Sequence, residues 1–205
     1  GIVFARALAK EHGGKLNVHE RFGTAVVHLP DGFKVDVATA RTEYYEYPTA
    51  LPTVEQSSMK KDLYRRDFTI NTLAVALRPR QFGQLIDFYG GQRDLKERLI
   101  RVLHSLSFVE DPTRVFRAIR FELRFSFQLS KDTLALIKGA VKMELFHRLS
   151  GQRLLDELRL LFSERMPRQA VRRLSELDLL RFIHPKLIWS NRLDRRLIEV
   201  EAALD

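Results

Sequence analysis

The sequence predicts an α+β chain: a small mixed or antiparallel sheet in the N-terminal half, followed by an all-helical C-terminal half. Three observations carry this. Strand-like alternation is confined to the N-terminal half and is clearest over Phe33–Thr39, where Phe33, Val35 and Val37 share one face and Lys34, Asp36 and Ala38 the other. Turn signals punctuate the same half, at Pro30-Asp31-Gly32 and Gly90-Gly91. From Phe108 onward apolar residues recur at helical spacing, as Leu154, Leu155, Leu158 and Leu161 do.

Taken in order, Ile2–Glu11 reads as a short helix closed by His12-Gly13-Gly14, glycine suiting a helix C-terminus. Leu16–Arg21, Thr24–Leu29 and Phe33–Thr39 read as strands, the last two joined by the Pro30–Gly32 hairpin turn. Arg41–Ser58 holds Pro48, Pro52 and the tyrosines 44, 45 and 47, and shows no sustained helix or strand pattern. A connection that long is usually functional or mobile. Ser58–Arg66 predicts a short helix. Asp67–Leu77 predicts a helix passing into a buried strand over Leu73–Leu77. Gln84–Phe88 and Leu99–Leu103 predict strands around a short helix at Gln92–Glu97. Helices then fit Asp111–Phe125, Ser130–Val141, Ser150–Ser163, Arg168–Leu177 and Arg192–Leu204, with Ser130 as an N-cap. Trp189 and His184 read as core or surface fillers.

The totals bound the function. A hydrophobic fraction of 45% is ample for a core. No run is long and apolar enough for a transmembrane helix, and the first residues form no secretory signal. With no cysteine there is neither a disulfide framework nor a thiolate metal site; this fits a cytoplasmic protein. The six histidines lack metal-ligand spacing, so zinc is not expected. The 35 Lys+Arg against 26 Asp+Glu give +9, which suggests a polyanionic partner. From Leu145 to Leu197 twelve basic residues face six acidic ones. That excess suits either solvated helix faces or a nucleic-acid backbone, with Arg168, Arg172 and Arg173 as candidate RNA contacts.

The chemistry centres on Glu110–Phe121. Glu110 and Asp111 are expected at a helix start, with Pro112 in the first turn, where its missing N–H costs nothing. Asp111 with Arg114, and Glu110 with Arg114, have the spacing that puts side chains on one helix face. The bland outcome is an ion-paired helix start. The sharper one is a rigid edge of carboxylate acceptor beside planar guanidinium donor, which reads a nucleobase as another base would. Arg65, Arg66 and Asp67 form a second cluster. Arginine suits phosphate because its fork donates two bonds and stays charged, and aspartate accepts from ribose hydroxyls.

Four segments in the same order resemble the motifs of the class II, bacterial-type tRNA nucleotidyltransferase and poly(A) polymerase family. Arg65-Arg66-Asp67-Phe68-Thr69-Ile70-Asn71 resembles its second motif and Asp87–Leu95 its third. Glu110–Phe121 resembles the nucleobase-reading motif, and Arg153–Leu158 the fifth. The resemblance implies a partial nucleotidyltransferase head with a small mixed or antiparallel sheet over 1–106. A helical neck at 107–165 and the start of a helical, RNA-binding body at 166–205 would follow. It further implies ATP and CTP as substrates, tRNA as partner, Mg²⁺ as cofactor and no membrane. Arg65, Arg66, Asp67, Asn71, Asp111, Arg114 and Arg117 would bind nucleotide; Glu110, Arg120, Arg153 and Glu157 would support the base site. Arg41–Ser58 would be the family's flexible loop, and Gly90 and Gly91 a hinge.

The family's first motif, a glycine-rich turn and a strand carrying Asp-x-Asp, is expected just before Gly1, so the chain is read as a fragment whose main metal carboxylates lie upstream. Asp36 is the candidate supporting carboxylate within it. The Gly-Arg-Arg/Lys-Phe-Arg element of bacterial poly(A) polymerases is replaced here by Glu20-Arg21-Phe22-Gly23-Thr24, which favours CCA-, CC- or A-addition to tRNA. Poly(A) synthesis, or a non-catalytic RNA- or nucleotide-binding module, are the alternatives.

Overall fold

The computed structural model describes residues 1–44, 46 and 53–204. They divide into two compact units, one ending at Arg65 and the other starting at Arg66.

In the first unit, α1 (Ile2–Glu11) precedes three antiparallel strands in sequence order, β1 (Lys15–His19), β2 (Thr24–His28) and β3 (Lys34–Ala38). The β2–β3 turn is the expected one: Leu29 N donates to Phe33 O at 2.8 Å, and Gly32 takes φ 87°, which a side chain would strain. Register pairs Val26 with Asp36. The core here is narrow, with Ala5 and Ala9 of α1 buried on Ala25 and Val27 of β2. Small residues on both faces let helix and sheet approach closely.

The expectation of an unpatterned Arg41–Ser58 is corrected at its ends. Arg41–Tyr44 is β4 and Thr53–Gln56 is β5, paired antiparallel from Arg41↔Gln56 to Tyr44↔Thr53. The prolines that argued against a strand lie at 48 and 52, between the paired segments. Tyr45, Tyr47, Pro48 and Pro52 lie outside the described residues. Helix α2 (Met59–Tyr64) follows, its N-cap Ser58 accepting from Lys61 N at 3.4 Å.

The second unit opens with a 3₁₀ turn at Thr69–Asn71 and a short hairpin of β6 (Ala74–Val75) and β7 (Leu85–Ile86). A buried strand over Leu73–Leu77 is not found: Val75 and Leu77 are exposed. Helix α3 (Gly91–Glu97) starts where Asp87 gathers four backbone N–H groups, from Tyr89, Gly90 and Gly91 to Oδ1 and from Gln92 to Oδ2. Burial would raise the Asp87 carboxyl, and those four donations outweigh it and hold it below its ordinary value. A Cβ on Gly91 would lie 2.5 Å from Thr69 O, so glycine is demanded there by packing. Beneath the turn, fully buried Asp94 accepts from Thr69 Oγ1 at 2.6 Å and from Arg101 Nε at 3.1 Å.

Strand β8 (Leu99–Ile100) is followed by α4 (Ser107–Glu110) and α5 (Thr113–Phe125). The chain then returns as β9 (Gln128–Leu129), parallel to β8. Helices α6 (Lys131–Lys142), α7 (Gly151–Phe162), α8 (Pro167–Glu176), α9 (Leu180–Ile183) and α10 (Asn191–Leu204) complete the unit. Ser130 caps α6 as expected, accepting from Thr133 N. One core joins the two expected regions: Phe68, Ile100 and Val102 pack with Phe108, Val115, Phe116 and Ile119. Trp189 packs on its edge. No helix among the described residues is long and apolar enough to cross a membrane.

Candidate nucleotide-recognition site

Helix α5 organises the site. Val115, Ala118 and Ile119 point into the core, which fixes the rotation of the helix and sets Arg114, Arg117, Arg120 and Arg124. Helices α7 and α8 pack against it.

The start of α5 corrects the expectation. Glu110 ends α4 and Asp111 stands between the helices with extended backbone; α5 begins at Thr113. Pro112 explains the break, because the residue before proline is driven out of helical conformation. Asp111 therefore caps α5 from outside. Its Oδ1 accepts from Thr113 N at 3.0 Å, Thr113 Oγ1 at 2.6 Å and Arg153 Nη2 of α7 at 2.9 Å. Among the described residues no donor is bonded to Oδ2.

Arg114 is buried, with Nη1 donating to Ser107 Oγ at 2.9 Å. His104 lies 3.5 Å from Glu110. Burial and the nearby Arg114 charge hold His104 below its ordinary value.

One turn on, Arg117 meets the other predicted cluster. Its Nε donates to Asp67 Oδ2 at 2.8 Å, and its Nη2 bonds the same oxygen. Asp67 Oδ1 accepts from Phe68 N and Asn71 Nδ2, each at 2.9 Å. Arg66 Nη1 donates to Asn71 O at 3.3 Å. Arg66, Asp67, Asn71 and Arg117 are thus one connected set.

Deeper along α5, Arg120 is buried with its Nε unpartnered among the described residues, and burial holds its guanidinium below the ordinary value. Among the described residues, Glu157 of α7 likewise carries a buried, unpartnered Oε2. Burial pushes the Glu157 carboxyl up, Arg120 and Arg117 pull it down, and Asp111 adds to the rise. Arg153 of α7 reaches the residue that caps α5, through its bond to Asp111.

Other predicted residues lie elsewhere. Arg65 is in the first unit, where Nη1 donates to Glu43 Oε1 at 2.9 Å and Nη2 to Asp62 Oδ1 at 2.8 Å. Asp36, on the exposed face of β3, pairs with Lys34 at 3.4 Å. The three arginines expected to meet RNA are ion-paired within the protein. Arg168 forks onto Asp194 of α10 at 2.6 and 2.9 Å, and Arg173 onto Glu122 of α5 at 2.8 and 3.0 Å. Arg172 makes a mostly exposed pair with Glu176 on its own helix. Among the described residues no group of three or more His, Cys, Asp or Glu side chains is placed to hold a metal ion.

Sequence reasoning missed Thr113 and Ser107. An Asp with Thr two residues on is a side-chain-capped turn signal that would have found the first; no local signal marks Ser107, seven residues before Arg114.

Chemically, the arrangement offers a carboxylate with one oxygen held by three donors, at the start of a helix that carries Arg114, Arg117 and Arg120.

Residues 2–101 match the family described as the Poly A polymerase head domain, and residues 126–189 one described as the probable RNA and SrmB-binding site of polymerase A. The chain is 58% identical over 204 residues to an A-adding tRNA nucleotidyltransferase of Geobacter sulfurreducens, covering 100% of this chain and 23% of that protein. It superposes on a CCA-adding enzyme in apo form with TM-score 0.90 at 47% identity, covering 94% of this chain and 46% of the other. On the Thermotoga maritima CCA-adding enzyme complexed with tRNA it gives TM-score 0.81 at 44% identity, covering 94% of this chain and 43% of the other. The chain thus spans less than half the length of each of these proteins.

Proposed function

The chain belongs to the class II tRNA nucleotidyltransferase and poly(A) polymerase family, and from that membership we propose that it carries the base-reading part of an enzyme completing tRNA 3′ ends. The reaction is template-independent addition of nucleotides of the CCA end from ATP or CTP. Addition of the terminal A is favoured by the likeness to the A-adding relative. Residues 1–106 serve as part of the head, 107–165 as the neck and 166–205 as the start of the RNA-binding body. A tRNA substrate implies work in the cytoplasm.

The observation that carries this reading is Asp111, with three donors on Oδ1 and, among the described residues, none on Oδ2. In the reading, Oδ2 accepts the exocyclic amine of adenine or cytosine, and Arg114 donates to the adjacent ring nitrogen. Uracil and guanine present a carbonyl to the carboxylate and an N–H to the guanidinium. Each mismatch leaves a polar group unpaired, at about 1–3 kcal/mol. Two mismatches suffice for rejection without a template. The Arg66–Asp67–Asn71–Arg117 set flanks the ribose and phosphates. Mg²⁺ bound to carboxylates outside these residues would supply activation of the terminal hydroxyl and of the triphosphate.

The test is primer extension by the full-length protein on tRNAs ending before C74, C75 or A76 (tRNA positions). A single A added to the last substrate supports the proposal. Runs of A point instead to a poly(A) polymerase, and no extension with retained tRNA binding to a non-catalytic binder.

A further inference from the structure

We infer that Thr113 is a positioning residue for nucleobase selection: its hydroxyl locks the Asp111 carboxylate so that Oδ2 alone faces the base. The inference rests on the base-reading role proposed for Asp111.

Rotation of a carboxylate about its terminal bond is broad and nearly two-fold, so an unrestrained Asp111 presents either oxygen over a range of angles. Reading an amine against a carbonyl needs an acceptor at one place. Three donors converge on Oδ1, two of them from Thr113. Of the three, the Thr113 hydroxyl is the shortest, at 2.6 Å. Thr113 is itself buried, at 6% exposure, so its hydroxyl needs a partner inside the protein. Its branched Cβ restricts the hydroxyl to few positions. Arg153, the third donor, sits on a long side chain that is one-third exposed, and is the looser restraint. The lock is therefore mainly local, two residues from the carboxylate it fixes.

This predicts more than a capping role. A cap holds the helix whichever base is bound; a lock on Oδ2 changes which base is preferred. Thr113→Val keeps the shape and the backbone N–H and loses only the donor.

The experiment is steady-state addition to tRNA by the full-length protein, with ATP, CTP, GTP and UTP, for wild type, Thr113→Val, Thr113→Ser, Thr113→Ala and Asp111→Ala, with melting temperatures alongside. For Thr113→Val the expected result is a KM for the preferred nucleotide raised about tenfold with kcat little changed, and discrimination against GTP and UTP lowered about tenfold. Thr113→Ser, which retains the donor, restores discrimination. Thr113→Ala repeats the loss if the valine variant folds poorly. A Thr113→Val enzyme with lowered melting temperature and unchanged discrimination overturns the inference. If Asp111→Ala loses discrimination while both donorless variants keep it, the inference falls and the base-reading proposal stands. If Asp111→Ala keeps discrimination, both fall.

Discussion

Asp67 and Arg117 lie fifty residues apart in sequence and share one carboxylate oxygen, which receives both Nε and Nη2 of the guanidinium. Asp67 is buried and its other oxygen is also occupied, by Phe68 N and Asn71 Nδ2. Asp67→Asn keeps the volume and removes the charge. The expected cost is about 2 kcal/mol, since bonds to charged groups contribute roughly 1.5–3 kcal/mol. Urea unfolding measures it. Arg117→Lys should not rescue function, because an ammonium lacks the planar fork; a lysine variant with wild-type kcat/KM would count against this geometry.

Arg173 and Arg172 are neighbours with different surroundings, and this separates packing from RNA contact. Arg173 forks onto Glu122 and is only 24% exposed, whereas Arg172 is 66% exposed. Arg173→Ala is expected to lower stability by about 2–3 kcal/mol, leaving Glu122 without its cation. Arg172→Ala should stay within about 0.5 kcal/mol. If RNA affinity tracks available charge, Arg172→Ala reduces the salt dependence of tRNA binding at unchanged melting temperature.

The placement of helices was legible because it follows from apolar spacing and, at Ser130, from the expected N-cap; Ser58 and Ser150 cap their helices in the same way. The β4–β5 hairpin was not, since pairing of Arg41–Tyr44 with Thr53–Gln56 is non-local and the intervening prolines mask it. Within the site, Arg66, Asp67, Asn71 and Arg117 were each legible by resemblance, but their assembly depends on tertiary packing of α5. The ion pairs of Arg168 and Arg173 were not legible for the same reason: charge is visible in a sequence, whereas the carboxylate opposite it is on another helix.

Glu157 makes stability depend on pH. Burial raises its carboxyl in the folded state above the ordinary 4.5. The folded protein therefore binds this proton more tightly than the unfolded chain. The contribution is fully present below 4.5 and is lost as pH rises through the folded value. Glu157→Gln should remove that dependence. Chemical denaturation of wild type and variant across this range should give a stability difference that shifts in favour of the variant as pH rises; parallel curves would contradict the assignment.

Gly91 admits no side chain. A Cβ would sit 2.5 Å from Thr69 O and 3.1 Å from Leu73. Backbone oxygen cannot swing aside as a side chain can, so Gly91→Ala is expected to cost about 1–3 kcal/mol, the range for overpacking. Thermal unfolding gives the answer. Gly139 faces open space, and Gly139→Ala, within α6, should be neutral or stabilising.

The parallel pairing of β8 with β9 bears on the order in which the chain assembles. Leu99 and Ile100 meet Gln128 and Leu129, so the segment between them, α5 included, is a loop closed at its base. Closing this loop costs less entropy than closing one of fifty residues, because the cost rises with loop length. Asp67 reaches Arg117 only from fifty residues away. Short-range closure should therefore come first, and pulse-labelling hydrogen exchange would find amides of 115–121 protected no later than those of 68–72. The arginine face then takes shape within its own loop, and the segment carrying Asp67 docks onto a surface that is already folded.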